Sequence, residues 1–301
     1  LGMDKIWGDG LTLIKRVIEK AKSAGSLDLA HTFVVERKDV SIRKHEGLEV
    51  LAPKILHFPN RFKDADEAAT WLKSAPVVVE CLADREQTLT LKADLFEGQK
   101  TGFFLDQSLN MSLVQQMLER RDGKELRVLD LCSYVGHWSL QLGAFAKAKG
   151  MKFESALVDV SGEALKRAAE NLKRAGLEAK TYEVDVMKEM NKWPEGEFDL
   201  VIADPPAFVK AKKDLAIGLK AYQKLNAEAA SKVKDGGFLV SCSCSGLVSE
   251  NELTNLLPIS FLKAKKTGRI LCRGNQGIDH PWDPSFPEGR YLKMILSQIF
   301  G

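Results

Sequence analysis

Short apolar runs alternate with longer amphipathic segments from residue 127 onward. The apolar runs cover residues 127–132, 153–159, 178–184, 198–203 and 237–242, and the segments between them include 137–149, 162–175 and a long one ending near Lys234. Strands that alternate with helices predict βαβ units and a mainly parallel sheet. Because such crossovers are right-handed, the loops after the strands gather along one edge, where open α/β sheets bind their ligands.

The first hundred residues follow a different pattern. Their apolar positions predict helices at 11–24 and 64–73 and strands at 32–36, 48–51, 76–81 and 88–92. A further helix is predicted from about Asp106 to about Arg121. We therefore expect residues 1–100 to form a small α+β domain that binds substrate, followed by a Rossmann-like domain over residues 101–301.

The first strand of the predicted parallel sheet leads into a tight loop. Residues 128–137 have the pattern of a strand, a loop and a helix start, and Gly136 is their only glycine. Dinucleotide-binding folds place several glycines here because a pyrophosphate must approach backbone N–H groups. The single glycine therefore disfavours a nicotinamide cofactor and favours S-adenosyl-L-methionine, which carries no phosphate. We assign Asp130, Ser133, Tyr134 and Gly136 to its binding site.

Acidic residues end the second and third predicted strands. Asp159 closes the second strand, where a carboxylate can accept both hydroxyls of a ribose. Asp185 closes the third strand, where a carboxylate could accept the amino group of adenine. A single acid at a strand end is more often a helix cap, but two in this order favour cofactor binding. We assign both to the cofactor site with Val160 and Val186, which follow them directly.

Asp204 and Cys244 follow the fourth and fifth predicted strands. Pro205 and Pro206 cannot continue a central strand, so the chain leaves the sheet and presents Asp204 at the binding edge. Cytosine C5 is not nucleophilic until a thiolate adds to C6, and the reaction needs an acid near N3 of the base. Cys244 as nucleophile and Asp204 as acid would supply both groups, whereas Cys242 is expected to be structural.

Composition limits the partners of the chain. Its 301 residues are 45% hydrophobic and 28% charged, which is typical of a globular protein, and no apolar run reaches membrane-spanning length. The formal charge of +3 permits an RNA partner without arguing strongly for one. Five cysteines without a CxxC pair indicate neither a zinc site nor a disulfide framework. No export signal is seen, so we expect a cytoplasmic protein whose native start is Met3.

Six segments carry longer motifs. They are residues 35–43 and 46–49 (VERKDVSIR and EGLE), 100–107 (KTGFFLDQ), 204–208 (DPPAF), 243–247 (SCSGL) and 286–293 (FPEGRYLK). In these segments the chain resembles the 23S rRNA cytosine-C5 methyltransferases, which combine a PUA module, a β-hairpin domain and a Rossmann-like methyltransferase domain. The likeness runs from about Phe33 to the C-terminus.

This resemblance implies an α/β fold of the Rossmann-like class I methyltransferase type, with a seven-stranded, mainly parallel sheet. It implies that residues 100–107 help to hold S-adenosyl-L-methionine, so Phe104, Gln107 and also Asp204 join the predicted cofactor site. It further implies that the 243–247 segment carries the nucleophile, Cys244. The expected reaction is C5 methylation of cytosine in structured RNA, with ribosomal RNA as the partner.

The chain departs from the family pattern at four points. No PUA module is expected before residue 30, and Ser108 and Met111 stand where the family usually has arginines. Ala207 replaces a common lysine, and the cofactor loop reads SYVGH where the family often has SYTGG. The fold and the cofactor are expected to survive these changes, whereas the RNA target depends on them.

Three other functions remain open from the sequence. A guanine-N7 or amino-group RNA methyltransferase would share the 204–208 loop but would not need Cys244. A small-molecule or protein methyltransferase is disfavoured because the basic residues suit a polyanion. These residues are Arg37, Lys38, Arg43, Lys44, Lys210, Lys212 and Lys213. The third is a cofactor-binding RNA module without catalysis. The sequence determines neither the oligomeric state nor the base that removes the C5 proton.

Overall fold

The computed structural model describes residues 16–20, 23–25, 28, 30–37, 47, 49–84, 86–98, 102–121, 123–286 and 289–301. Of the predicted helix 11–24, residues 16–20 are described and are helical, and the rest lies largely outside the described residues. Parts of the motif segments 35–43, 46–49, 100–107 and 286–293 also lie outside them, as do Lys38, Arg43 and Lys44.

The chain divides into two compact units. The first holds the described residues up to Pro76 and those of Ala93–Phe104, and the second holds the described residues of Val77–Lys92 and Leu105–Gly301. The chain therefore passes from the first unit to the second and back before the predicted boundary at residue 100. The substrate-binding role of the N-terminal part stays a prediction.

Besides the helical residues 16–20, the described residues of the first unit form a small sheet and a helix. Strand β1 (Val34–Glu36) pairs antiparallel with β2 (Lys54–His57), and helix α1 (Ala65–Leu72) begins after Asp64, whose carboxylate accepts the Glu67 N–H at 2.8 Å. A strand was predicted at 48–51, but residues 49–53 form none. The strand falls later because Ile55 packs with the buried side chains of this unit.

A hairpin of β3 (Ala75–Glu80) and β4 (Thr88–Ala93) connects the units along the chain. Its part within the second unit is fixed by two amide side chains. Asn171 bonds both the N–H and the C=O of Lys92, at 2.7 and 3.1 Å. Gln141 donates to the Glu80 C=O at 2.8 Å and accepts the Leu82 N–H at 3.1 Å. This part of the hairpin is thereby anchored to the helices of the second unit.

Within the described residues, the second unit is built on a seven-stranded sheet in the order β10-β11-β9-β8-β5-β6-β7. Its strands are β5 (Glu125–Leu131), β6 (Lys152–Asp159), β7 (Ala179–Glu183), β8 (Phe198–Ala203), β9 (Val233–Ser243), β10 (Thr267–Gly274) and β11 (Lys293–Phe300). Strands β5 to β9 pair in parallel, and β10 and β11 add an antiparallel edge. The predicted fold class is confirmed.

In the described part of the second unit, one α-helix precedes β5, and four α-helices follow the parallel strands β5, β6, β8 and β9. They are α2 (Ser108–Leu118), α3 (His137–Ala148), α4 (Gly162–Arg174), α5 (Leu215–Ser231) and α6 (Glu250–Lys263). Polar caps start two of them: Ser161 accepts the Ala164 N–H, and Ser249 forms a reciprocal capping box with Glu252. Two apolar clusters pack around the sheet strands, and each fully buried leucine in them contributes about 1.5–3 kcal/mol.

The strand register brings the predicted site residues to one edge of the sheet. Leu131 lies opposite Val158 and Ala203, and Ala203 lies opposite Ser241. Strand β11 runs the other way, so its first residue rather than its last reaches this edge. The loops after β5, β6, β8 and β9 and the segment before β11 therefore meet there. No helix in the described part of the chain is long and apolar enough to cross a membrane.

Candidate active site

The loop after β5 has an unusual backbone. Cys132, Tyr134 and Gly136 adopt positive φ angles of 62°, 48° and 80°. A Cβ on Gly136 would lie 3.1 Å from the Ala168 Cβ and 3.1 Å from the Leu172 Cδ1, so only glycine fits without displacing α4. Left-handed backbone at non-glycine residues is costly and concentrates at ligand sites. The single glycine of the sequence motif is therefore required by both conformation and packing.

Two buried polar atoms at this loop fit a polar ligand. Ser133 N–H donates to the Val158 C=O at 3.1 Å, and Gly136 N–H donates to the Ser133 C=O at 2.8 Å, which fixes the turn. Among the described residues, the Ser133 Oγ and the Asp130 Oδ1 have no hydrogen-bond partner although both are buried. Buried polar atoms are normally bonded, so this pair suits a ligand with polar groups.

Asp159 lies at the end of β6 beside this loop. One carboxylate oxygen accepts the Tyr134 N–H at 2.9 Å and the other accepts the Ser161 N–H at 2.9 Å. These bonds hold the carboxylate in place while leaving lone pairs for further donors. The geometry is compatible with the predicted ribose role. Val160, the next residue, is 66% exposed, so an apolar side chain lies open beside the carboxylate.

Asp185 begins the turn after β7. Its Oδ1 accepts the N–H groups of Met187 at 2.9 Å and Lys188 at 3.1 Å, and its Oδ2 lies 3.1 Å from the Lys188 Nζ. The bonds from Met187 and Lys188 hold the pKa of Asp185 below its usual value. Asp185 thus caps its own turn as an ionised group, and Val186 beside it is buried. The predicted contacts of both residues with adenine stay predictions.

The acids converge on the β5 loop. Burial raises the pKa of the Cys132 thiol well above its usual value, and Asp159, Asp204, Asp130 and Asp185 raise it further. A cluster of carboxylates creates a negative potential. That potential suits a ligand that carries a sulfonium and an ammonium group, as S-adenosyl-L-methionine does.

Asp130 is the most deeply buried of these acids. Its side chain is fully buried within β5, and the Ser139 hydroxyl donates to its Oδ2 at 2.7 Å. Burial raises the pKa of Asp130 to about 7, against the opposing effect of the Ser139 bond, and Asp204 and Asp159 add to the rise. Asp130 therefore titrates near neutral pH.

Asp204 is held by donors from two helices. The Gln107 amide donates to its Oδ2 at 2.8 Å, and the Trp138 indole N–H donates to the same oxygen at 3.1 Å. Asn110 fixes the Gln107 amide by donating to its Oε1 at 2.7 Å. The chain of bonds orients the carboxylate at the strand end. Gln107 and Asp204, both predicted from sequence, are thus brought together directly.

Cys244 lies beside the Asp204 loop. Its Sγ is 3.9 Å from the Pro205 carbonyl oxygen, and the thiol is partly exposed. Ser245 ties the two loops together because its Oγ accepts the Val209 N–H at 3.2 Å and bonds the Tyr222 hydroxyl at 2.9 Å. The predicted nucleophile and the predicted acid therefore lie on adjacent loops. Cys242 is buried, and burial raises the pKa of its thiol well above the usual value.

Several residues that shape the site were missed by the sequence reasoning. Asn110 follows Gln107 by three positions on α2, and that spacing could have predicted the pairing. Trp138 is the second residue of α3, directly after the cofactor loop, and this position is also a usable signal. Tyr222 meets the site through tertiary packing alone, and no local pattern points to it. Ser245 and Lys293 lie in the motif segments 243–247 and 286–293, but their contact with each other depends on tertiary packing.

Two further results concern Phe104 and metal binding. Phe104 belongs to the first unit and is half-buried there, so its predicted cofactor contact stays a prediction. Within the described ranges, no group of three or more His, Cys, Asp or Glu side chains could hold a metal ion.

The sheet order and the acid-lined edge define a Rossmann-like class I methyltransferase. Residues 104–268, more than half of the chain, match the methyltransferase small domain family. The chain therefore belongs to this family, and it is an S-adenosyl-L-methionine-dependent enzyme. The predicted enzyme class and cofactor are confirmed.

Curated relatives and solved structures resemble the chain as well. Proteins named ribosomal RNA large subunit methyltransferase I are 32% identical in Shewanella denitrificans and Pseudoalteromonas translucida. In each case the alignment covers 89% of this chain and 62% of the relative. The chain thus spans less than two thirds of their length.

A Streptococcus mutans structure described as a SAM-dependent methyltransferase matches with a TM-score of 0.61 and 18% identity, over 81% of this chain and 58% of that chain. A Thermus thermophilus 16S rRNA N2 methyltransferase, solved with AdoMet and guanosine, matches with a TM-score of 0.50 and 17% identity, over 74% and 50%. At these identities the two structures establish the fold alone.

Proposed function

We propose that the chain methylates cytosine C5 in ribosomal RNA through a covalent adduct with Cys244. The observation that carries this proposal is the adjacency of Cys244 to the Asp204 loop, with 3.9 Å between the Cys244 Sγ and the Pro205 carbonyl oxygen. An N7 or amino-group methyltransferase needs no thiol at that point. The name of the curated relatives supports ribosomal RNA as the substrate class.

Different residues of the chain carry out different steps of the proposed reaction. The target base is flipped out of its helix into the cleft. The Cys244 thiolate forms a bond to C6, while Asp204 protonates or hydrogen-bonds N3, so electron density moves to C5. C5 would then bond the methyl carbon, whose bond to the sulfonium sulfur would break to leave a neutral thioether. Loss of the C5 proton to a base restores the double bond, and the C6–S bond breaks to release the thiolate.

The cofactor site in this proposal is the acid-lined edge of the sheet. Bound S-adenosyl-L-methionine supplies an electrophilic methyl group on a sulfonium. Asp159 would bind the ribose hydroxyls, and Asp185, Val160 and Val186 would surround the adenine. The remaining members are predicted to bind the rest of the cofactor: Phe104, Gln107, Asp130, Ser133, Tyr134, Gly136 and Asp204. Asp204 therefore lies between the cofactor and the base.

The test is methyl transfer from labelled cofactor to ribosomal RNA stripped of modifications, followed by nucleoside analysis. We expect label in 5-methylcytidine, and we expect Cys244→Ala to lower turnover by at least about 10³-fold, since covalent catalysis is lost. The same variant should bind cofactor with nearly unchanged affinity.

Asp159→Ala is the matched control, because it should weaken cofactor binding and leave the thiol intact. Label in a guanine derivative, indifferent to Cys244, would contradict the C5 proposal and favour the guanine alternative. Cofactor binding without any transfer would favour a non-catalytic RNA module.

A further inference from the structure

A buried lysine lies next to the proposed nucleophile. Lys293 begins β11 and lies opposite Ser243 in the antiparallel register, one residue before Cys244. Its Nζ donates to the Ser245 C=O at 2.5 Å and to the Tyr291 C=O at 2.8 Å. The first of these carbonyls belongs to the residue that follows Cys244. The ammonium group is thus fixed against the backbone that carries the thiol.

The lysine is not explained by an ion pair. Only 4% of Lys293 is exposed, and its hydrogen-bond partners in the described part of the chain are the two neutral carbonyls. Burying a charge without a counterion is costly, so such a group usually has a function or a partner that forms during function. Its electrostatic neighbours are Cys244 and, more weakly, Arg290 and Glu252.

We propose that Lys293 is a positioning residue that stabilises the thiolate of Cys244 and so keeps the proposed nucleophile reactive at neutral pH. This inference rests on the proposed function, because it assigns a purpose to the thiolate. The thiol releases its proton to solvent, Lys293 stays protonated, and no further reactant is consumed.

The other groups around the thiol act differently from Lys293. The Tyr291 hydroxyl donates to the Asp106 carboxylate at 2.5 Å, and the Tyr222 hydroxyl bonds Ser245, so both phenols are engaged elsewhere. Asp204 lies on the neighbouring loop, and an ionised carboxylate there would oppose thiolate formation. Lys293 is a cation placed to offset that effect.

Burial lowers the pKa of Lys293 to about 8, and Arg290 lowers it as well, whereas Cys244 and Glu252 raise it. The ammonium is thus still largely protonated near pH 7. The influence between Lys293 and Cys244 is mutual, since a charge that raises the pKa of one group lowers that of an opposite partner. Formation of the thiolate supplies the counterion that the buried ammonium lacks.

The test measures Cys244 alone, in the full chain and without RNA. Iodoacetamide alkylates the thiolate, and peptide mass spectrometry resolves Cys244 from the other four cysteines. The rate of alkylation at Cys244 is measured from pH 5 to 10, and the midpoint is the pH at which this rate is half of its maximum. In the unmodified chain its midpoint should fall below the ordinary thiol value of about 8.5. A midpoint at or above that value overturns the proposal without any variant.

Two variants separate charge from structure. Lys293→Gln keeps a donor for the carbonyls but no charge, and should raise the midpoint by about one unit, a tenfold loss of thiolate at neutral pH. Lys293→Arg restores the charge and should return the midpoint toward that of the unmodified chain. An unchanged midpoint in a folded Lys293→Gln variant overturns the proposal.

Lys266→Gln is the matched control. Lys266 is also largely buried and donates to a strand carbonyl, that of Val233 at 3.0 Å, but Val233 starts β9 at the opposite end of the strand from Cys244. Its variant should leave the Cys244 midpoint unchanged. Because alkylation requires no RNA, a failure of this inference is distinguishable from a failure of C5 methylation.

Discussion

At the scale of single residues, Asp130 shows how burial changes the chemistry of an acid. It sits within the first strand of the parallel sheet, where apolar neighbours exclude water, and its pKa rises to about 7. In the unfolded chain the same carboxyl ionises near the ordinary pKa of 3.8 for an aspartic acid. The folded state therefore binds more protons than the unfolded state between about pH 4 and pH 7, and stability falls as pH rises through that window.

Asp130→Asn should remove this decline in stability between pH 4 and pH 7. The unfolding free energy of the variant, minus that of the unmodified chain, should increase by a few kcal/mol in total between pH 4 and pH 7, since one pKa unit corresponds to about 1.4 kcal/mol. Urea unfolding at several pH values measures it. Asp283→Asn is the control, because hydrogen bonds from Ser285 lower the pKa of this exposed acid. A pH-independent difference for Asp130→Asn would contradict the raised pKa.

At the scale of elements, the β5–α3 loop combines a left-handed backbone with close helix packing. Gly136 has a φ of 80°, and a Cβ there would press on α4 at 3.1 Å. Gly236 has a φ of 75°, but a Cβ there would meet nothing within 4 Å. The two glycines share the backbone requirement and differ in the packing requirement.

Gly136→Ala should therefore cost about 2–4 kcal/mol of unfolding free energy, from strain plus overpacking, and Gly236→Ala about 1–2 kcal/mol from strain alone. Cofactor affinity, measured by titration calorimetry, should fall at least about tenfold in Gly136→Ala and stay unchanged in Gly236→Ala. Equal effects of the two substitutions would show that packing against α4 does not shape the loop.

At the scale of the whole molecule, the net charge of +3 is too small to account for binding of the proposed RNA substrate, so a local cluster of positive charge would have to provide it. Lys210, Lys212 and Lys213 are exposed in the segment that follows the Asp204 loop. The segment is fixed near the site because Ser245 bonds the Val209 N–H. In the proposed reaction, these lysines would contact the phosphates that flank the flipped base.

Replacing Lys210, Lys212 and Lys213 by alanine should weaken RNA binding and flatten its salt dependence. Each lost phosphate contact reduces the slope of log K against log salt by about 0.7–0.9, so the triple variant should lose up to about 2–3 units. Replacing the exposed Lys166, Lys173 and Lys180 is the control with equal charge change. Equal losses in both variants would mean that the effect is one of total charge.

The sequence by itself determined the βαβ order and the residues at the strand ends. Alternating apolar runs fixed the parallel strands within a few residues, because strand and helix periods are local properties of the chain. The proline pair after Asp204 and the glycine of the cofactor loop were likewise local signals, and both match the observed turns. The fold class followed, and family membership establishes the enzyme class and cofactor.

Only the tertiary structure decided which distant residues share the site. The antiparallel return of β11 places Lys293 beside Cys244, and Trp138 reaches Asp204 across the sheet edge. The prediction of a strand at 48–51 was wrong for a related reason. The strand forms later in the chain, at Lys54–His57, where Ile55 packs against the buried side chains of the first unit. Local periodicity specifies which face of an element is buried. It carries no information about what that face meets, because that is set by how separate elements pack.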